Sequence, residues 1–207
     1  MTDGHDKPVM PAKCVHCNRP MSTVVLCDYC ERINPLPGGH DHFELLGLAR
    51  RFEIDPAELH QKYIALSRHA HPDFHAQETQ EVQALSQSVS SAVNEAYRTL
   101  SDPYRRAGYL LELLGGPSSA EDKSVPEGFL GTMMMMQEEL SEAAEGERAN
   151  VAAVMRTQHD GMLNRIASLF ADLESAAGCE ATRQDLLHEL RKQLNALAYV
   201  RKLLSQV

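Results

Sequence analysis

The chain has 207 residues, of which 43% are apolar and 24% are charged, as expected for a folded protein with a buried core. Its formal net charge of −9 disfavours contact with a nucleic-acid backbone, so no nucleic-acid partner is expected. There is no apolar run of the ~18 residues that a membrane span needs. The first residues show neither the apolar core of a secretion signal nor the Arg-rich, acid-poor character of a mitochondrial presequence, so neither is expected. No membrane partner is therefore expected, and the predicted location is the bacterial cytoplasm.

Four of the five cysteines lie close together after a short N-terminus, residues 1–11, that we expect to be flexible. Within residues 12–32, Cys14 and Cys17 form one CxxC pair, and Cys27 and Cys30 form another. Two such pairs supply the four thiolates of a closed structural zinc site. A segment this short cannot bury enough apolar surface to fold alone, whereas zinc adds about 10–16 kcal/mol to the folding of such peptides. We therefore predict one structural zinc ion.

Other uses of these cysteines remain open. The two CxxC pairs also match an exchanging dithiol, although no βαβ pattern surrounds them, and four thiolates also hold iron–sulfur clusters. His16 lies inside the first pair but is surplus to a four-cysteine shell. The stretch 22–26 is compatible with a small ribbon, and Cys179 is expected to be an isolated thiol near a helix start.

The rest of the chain is predicted to be all-α. Residues 33–40 contain two prolines and two glycines and indicate a linker. Beyond them, apolar residues recur at helical spacing. Four helices are predicted before the Gly115-Gly116 pair, near 42–49, from Pro56 to about Ala70, near 77–100, and after Pro103. Three more are predicted near 127–145, 147–176 and 180–205, with breaks at Gly146 and Gly178, and these three are expected to form a bundle.

The tripeptide His71-Pro72-Asp73 lies between the second and third helices. Because the connection is short, the two helices must pack antiparallel. Pro72 disfavours helical geometry at His71 and stiffens the loop. A carboxylate held in place at Asp73 suits bidentate recognition by an arginine of a partner. Two alternatives are a chance helix stop and a metal site made from the histidines at 69, 71 and 75.

The surroundings of this tripeptide resemble J domains, which activate DnaK-type chaperones. The resemblance covers about 41–114 and rests on the HPD tripeptide, on the opening DHFELLGL of residues 41–48 and on the segment NEAYRTLSDPYRRA of residues 94–107. It implies a J domain over 41–116 in which His71, Pro72 and Asp73 contact the chaperone. Lys62 and Arg68 are expected to assist as a basic face. Many J domains carry a basic residue after the tripeptide, where this chain has Phe74.

Residues 117–207 lack the Gly/Phe-rich linker of generic J-proteins and are predicted to form an acidic three-helix bundle. J domain and bundle together resemble the HscB family of co-chaperones for iron–sulfur cluster biogenesis, some of whose members carry an N-terminal two-CxxC element. This resemblance implies two partners, a DnaK-type chaperone like HscA and the scaffold protein IscU. It implies a scaffold-binding patch made of Leu130, Met134, Glu138, Glu142 and Tyr199.

The first four patch residues are spaced by four and therefore fall on one helix stripe. Gly131 and Met135 depart from the family pattern, which often has a larger apolar residue at the first position and a carboxylate at the second. The alternative is that the run Met133–Met136 simply packs the core of the bundle, although four consecutive methionines on one helix cannot all face inward.

The expected function is therefore that of an adaptor rather than an enzyme, acting as a monomer or weak dimer. It would stimulate the ATPase of a dedicated HscA-like chaperone and deliver IscU to it during cluster maturation and transfer. The alternative is a general J-protein that presents unfolded clients to the housekeeping chaperone. A thiol oxidoreductase or a His/Asp hydrolase would need a catalytic constellation that the sequence does not offer, and the acidic charge disfavours a zinc-dependent nucleic-acid binder.

Overall fold

The structure is a computed structural model that describes residues 13–21, 23–176 and 179–206, with the backbone alone at Glu145. The N-terminal segment 1–11, Ser22 of the expected ribbon and the expected break at Gly178 lie outside the described residues. Within them the chain is all-helical, with seven α-helices and one 3-10 turn, which confirms the predicted fold class. These described residues form two compact units: those up to 50 with 54–102, and 51–53 with those from 103 onward. None of the described helices has the length and apolar character of a membrane-crossing segment.

The first unit contains three α-helices: α1 (His42–Leu46), α2 (Pro56–Ala70) and α3 (Gln80–Ser101). A 3-10 turn over Pro72–His75 lies between α2 and α3. Helix α1 is shorter than the predicted 42–49 because Gly47 takes a left-handed conformation, with φ of 65°, and ends it. Helix α2 begins as predicted, since the side chain of Asp55 accepts from the backbone N–H of Ala57 and a proline occupies the first turn.

Helices α2 and α3 form an antiparallel hairpin. Three hydrogen-bonded pairs show that the two helices run in opposite directions. From pair to pair, the residue number on α2 decreases while the residue number on α3 increases. The pairs are Ser86 Oγ with the Ala70 carbonyl at 2.9 Å, the Tyr63 hydroxyl with Asn94 Oδ1 at 3.0 Å, and His60 Nδ1 with the Tyr97 hydroxyl at 3.1 Å. The predicted apolar stripe of α3 is buried at Val89, Val93, Ala96 and Leu100.

The second unit contains α4 (Pro103–Leu113), α5 (Phe129–Glu142), α6 (Glu145–Ser175) and α7 (Glu180–Leu204). The expected break at Gly146 is wrong, because this glycine is the second residue of α6. The chain turns instead at Ala143 and Ala144, which both adopt extended ψ values. The carboxylate of Glu147 accepts from the Ala144 backbone N–H at 3.2 Å, so the new helix is capped two residues earlier than the glycine suggested.

The core of the second unit is formed by the stripes predicted for its last two helices. Helix α4 packs with them: an Nη of Arg183 donates to the Leu114 carbonyl at 2.5 Å, and the Arg201 guanidinium lies 4.7 Å from the centre of the Tyr104 ring. The packing boundary therefore falls between Asp102 and Pro103, whereas our proposed domain division lies between residues 116 and 117. The buried stripe residues are Ile166, Phe170 and Leu173 on α6 and Leu187, Leu190, Leu194 and Leu197 on α7.

Candidate chaperone-binding loop, scaffold-binding face and metal centre

The HPD tripeptide forms an exposed turn between α2 and α3. His71 ends α2 in an extended conformation with ψ of 128°, as expected for a residue before proline, and Pro72 opens the 3-10 turn. The Asp73 side chain is 88% exposed and the His71 side chain 52%. The tripeptide is neither buried nor part of a continuous helix, so its carboxylate is available to a partner.

The ring of His71 supports this turn. Its Nδ1 accepts a hydrogen bond from the backbone N–H of Asp73 at 3.2 Å. The Asp73 carboxylate lies 3.6 Å from the same nitrogen, beyond hydrogen-bond distance, so its oxygens stay accessible to a partner.

Side-chain bonds to the backbone fix the loop at both ends. On the α2 side, the Nε2 atom of His75 lies 2.8 Å from the His69 carbonyl, and the buried hydroxyl of Ser86 donates to the Ala70 carbonyl. On the α3 side, Gln83 Nε2 donates to the carbonyls of Ala76 at 3.0 Å and Glu78 at 2.9 Å. The anchoring role of Ser86 and Gln83 could not be read from the sequence, where both are ordinary polar residues of a helix.

The basic face expected beside this loop is smaller than the sequence indicates. Arg68 is exposed, but Lys62 is half-buried. The Lys62 ammonium donates to the Gly47 carbonyl at 2.6 Å and lies 3.7 Å from the Glu58 carboxylate. The Lys62 ammonium therefore interacts mainly with groups of the first unit and stabilises the end of α1, so less of its charge is available to a partner.

The five residues expected to bind the scaffold are all exposed on the second unit. Leu130, Met134, Glu138 and Glu142 lie along α5, and Tyr199 lies on α7. The Tyr199 ring meets the Phe129 ring edge-on at 6.2 Å, which brings it to the start of α5. The methionine run is divided between core and surface: Met133 packs in the core and Met136 is half-buried against it, whereas Met134 and Met135 are each 72% exposed.

The four clustered cysteines form the one group of three or more potential metal ligands in the described parts of the chain. Their sulfurs all lie within 4.8 Å of one another, and the pairs Cys14–Cys30 and Cys17–Cys27 are each 3.6 Å apart. A tetrahedral ion with bonds of ~2.3 Å places its sulfurs about 3.8 Å apart, so the donor set fits one ion. The alternative histidine site at 69, 71 and 75 does not form, because His75 faces the His69 carbonyl.

The two CxxC pairs adopt the same local structure, offset by thirteen residues. In each, the first cysteine N–H donates to a carbonyl five residues on, at 2.9 Å for Cys14 and 3.1 Å for Cys27, and its carbonyl accepts from the residue four on. That fourth residue, Asn18 or Glu31, has a left-handed φ of 57° or 54°. Isolated antiparallel bridges, Lys13–Pro20 and Leu26–Ile33, flank the two pairs. This local repeat is hidden in the sequence because it rests on backbone geometry.

Backbone N–H groups favour thiolates at this site. Burial alone would raise the pKa of the Cys14 thiol, but donors including the backbone of Cys17 and His16 lower it to about 6. Once one thiolate is present, a second is disfavoured without a cation. A hydrogen bond from the Arg32 backbone lowers the pKa of the Cys30 thiol, but burial and the neighbouring sulfurs outweigh it and raise this pKa to about 12. Four thiolates so close together need a bound cation to coexist.

Cys179 is separate from this cluster. It is exposed at the N-terminal end of α7, and its sulfur accepts from the Thr182 hydroxyl at 3.1 Å. This hydrogen bond lowers the pKa of the Cys179 thiol.

Comparison with known proteins agrees with these features. The family model for the DnaJ domain matches residues 41–109. The chain is 32% identical over 154 residues to the iron–sulfur cluster co-chaperone protein HscB of Mus musculus. The match covers 72% of this chain and 66% of the mouse protein, so the chain spans just under two thirds of the length of that relative. It is 34% identical over 149 residues to a co-chaperone protein HscB homologue of Ralstonia nicotianae, which covers 69% of this chain and 85% of that relative.

Two solved structures resemble the fold. The crystal structure of the human co-chaperone protein HscB superposes with a TM-score of 0.75 at 26% identity, over 94% of this chain and 96% of the human one. The chaperone HscB from Vibrio cholerae superposes with a TM-score of 0.64, also at 26% identity, over 81% of this chain and 94% of its own. The exposed HPD turn, the helical second unit and these relatives together show that the chain belongs to the HscB family of J-domain co-chaperones for iron–sulfur cluster assembly.

Proposed function

We propose that this chain stimulates the ATPase of a dedicated DnaK-type chaperone, of the kind called HscA, and delivers the scaffold protein IscU to it. The observation that carries the first half is the Asp73 carboxylate, which is exposed, charged and held on a turn anchored at both ends. Such a group suits a bidentate pair with an arginine of the chaperone. The chain would add no catalytic group and would act by binding one state of its partner in preference to another.

The scaffold half of the proposal rests on the exposed face of α5. Leu130 and Met134 present apolar surface on α5, whose first residue, Phe129, contacts Tyr199. Glu138 and Glu142 continue the same stripe with negative charge. An adaptable apolar centre with a charged rim is the usual composition of a protein interface. The other side of α5 packs in the core of the unit through Phe129, Met133 and Leu140. The exposed side is therefore not needed for folding and is free to bind IscU.

The metal is proposed to be one structural zinc ion bound by Cys14, Cys17, Cys27 and Cys30. All four protein positions are sulfur, which leaves no open position for a substrate and matches structural zinc sites. A multi-iron cluster would attach its cysteines to different irons and hold them further apart. All five cysteines are unpaired, which suits a reducing compartment such as the bacterial cytoplasm.

The chaperone half is tested by the substitution Asp73→Asn. We expect it to abolish stimulation of the cognate chaperone's ATPase, because the amide keeps the size of the side chain but removes its charge. Glu78→Gln is the matched control, since it removes a nearby exposed carboxylate from the other end of the loop. Unchanged stimulation by the Asp73→Asn protein would refute the proposal.

The scaffold half is tested by comparing Met134→Glu with Met135→Glu. Both are consecutive residues of α5 and are 72% exposed, about 100° apart around the helix axis, and both variants gain the same charge. We expect Met134→Glu to weaken IscU binding by at least tenfold, because it places a carboxylate at the apolar centre. Met135→Glu should change the dissociation constant by less than about threefold, since relatives often carry a carboxylate there. Equal losses, or none, would show that IscU binds elsewhere.

A general J-protein would give a different result. It would bind an unfolded model client as well as it binds IscU, and Met134→Glu would not discriminate between the two ligands. Competition between IscU and a denatured client for the full-length protein therefore separates the two functions.

A further inference from the structure

We propose that Phe74 is a second anchor for the chaperone and inserts into an apolar pocket beside the arginine that receives Asp73. This inference rests on the proposed function and names a specificity-determining residue for it. The pocket should lie within one side chain of that arginine, since Phe74 follows Asp73 directly in the chain.

The first argument is exposure without a folding role. The Phe74 side chain is 72% exposed, among the most exposed large apolar side chains of the described residues. Its ring meets another exposed ring, that of His71, edge-on at a centroid distance of 6.2 Å. The exposed ring contributes little to the core, and its contact with water is unfavourable in the free protein. Burial of the ring by a partner would remove this unfavourable contact and favour binding.

The second argument is presentation. Phe74 lies inside the 3-10 turn Pro72–His75, and its N–H donates to the His71 carbonyl at 3.1 Å. The next residue, His75, is fixed to the His69 carbonyl. The ring is therefore offered from a backbone that is already ordered, so binding would restrict little more than the side-chain torsions. Large aromatic side chains held in this way are typical anchors at protein interfaces.

The third argument is the weakness of the charge beside the loop. Lys62 is engaged by Gly47 and Glu58, which leaves Arg68 as the exposed cation of the expected basic face. The cationic contribution of this chain to the contact is therefore small, and apolar contact at Phe74 would supply affinity and selectivity in its place.

The test measures binding of the cognate chaperone to full-length variants at position 74. We expect Phe74→Ala to raise the dissociation constant about tenfold, equivalent to ~1.4 kcal/mol, and Phe74→Lys to raise it at least as much. Phe74→Leu should keep most of the affinity. Because apolar contact is not screened, the loss in Phe74→Ala should be the same at low and at high salt. Val154→Ala, which trims an exposed apolar side chain of α6, is the matched control.

A direct readout separates contact from mere support of the loop. A photoreactive phenylalanine analogue at position 74 should crosslink to the chaperone, whereas the same analogue at position 154 should not. Phe74→Ala binding within twofold of wild type, or absence of the crosslink, would overturn the inference. If Asp73→Asn abolishes stimulation while Phe74→Ala does not weaken binding, only the anchor is wrong; if Asp73→Asn has no effect, the proposed function itself fails.

Discussion

At the scale of single residues, Asp41 shows how one buried carboxylate can order the start of the first unit. It is 4% exposed and accepts from the backbone N–H of Glu44 at 2.8 Å, and it pairs with the guanidinium of Arg50. The Glu44 carboxylate accepts a hydrogen bond from the Asp41 backbone N–H and also pairs with Arg50. This arrangement ties the segment after α1 back to its first turn.

We predict that Asp41→Ala lowers the free energy of unfolding by about 1–2 kcal/mol, mainly through loss of the cap. The ion pair adds little, because the Arg50 side chain is half-exposed. Asp41→Asn should cost less, since the amide oxygen still accepts from Glu44. Urea unfolding monitored by circular dichroism measures both variants; an asparagine variant as unstable as the alanine variant would show that the charge, and not the cap, dominates.

His42 gives the first unit a dependence on pH. Burial lowers the pKa of its imidazole, against the opposing influence of Glu95 and Asp41. The unfolded chain therefore binds a proton more readily than the folded one below the ordinary histidine pKa of ~6.5, so stability must fall as the pH drops through that value. We predict that His42→Gln makes the free energy of unfolding less sensitive to pH between 7.5 and 5.5. A variant as sensitive as wild type, or more so, would contradict this.

Two features of the chaperone-binding region show which contacts of single residues can be predicted from the sequence and which cannot. The exposed turn at His71-Pro72-Asp73 could be predicted, because proline restricts the residue before it whatever the surrounding fold. The occupation of Lys62 by the Gly47 carbonyl could not, because it depends on how α1 ends relative to α2. Short-range steric rules are readable in a sequence, whereas contacts across the hairpin need its three-dimensional packing.

At the scale of elements, helix stripes were predicted well and helix ends less well. The buried residues of α3 and α7 follow the predicted spacing because apolar periodicity records burial directly. The break before α6 was misplaced, since glycine lowers helix stability by only about 1 kcal/mol and the cap at Ala144 and Glu147 outweighs it. The CxxC spacing predicted a metal site but not the repeated left-handed residues Asn18 and Glu31 that shape it.

The cysteine element should depend on its metal, while the helical parts should not. We predict that purified protein contains one zinc per chain, and that Cys14→Ser with Cys17→Ser releases it. The helical circular dichroism should be nearly unchanged, because the helices have buried cores that contain no cysteine. Metal analysis with a thermal melt measures both effects; Cys179→Ser is the matched control, since its exposed thiol lies outside the cluster. Global unfolding of the double variant would mean that the zinc element supports the whole first unit.

At the scale of the whole molecule, the two proposed partner sites belong to different compact units. The loop with Asp73 and Phe74 belongs to the first unit, and the face with Met134 and Tyr199 to the second. Each site is made from residues of its own unit, and each unit buries its own helical stripes. Substitutions at sites that are packed in separate units and share no contact residues usually have additive effects.

We therefore predict that the two activities can be removed one at a time. Asp73→Asn should abolish ATPase stimulation and leave the dissociation constant for IscU within about twofold. Met134→Glu should weaken IscU binding yet keep the stimulation measured without IscU, and it should lose only the additional stimulation that IscU brings. The double variant should show both losses and no greater instability than the two single variants combined. If Met134→Glu also removed stimulation in the absence of IscU, the two units would have to be energetically coupled, and the molecule would act as a switch rather than as an adaptor with two independent sites.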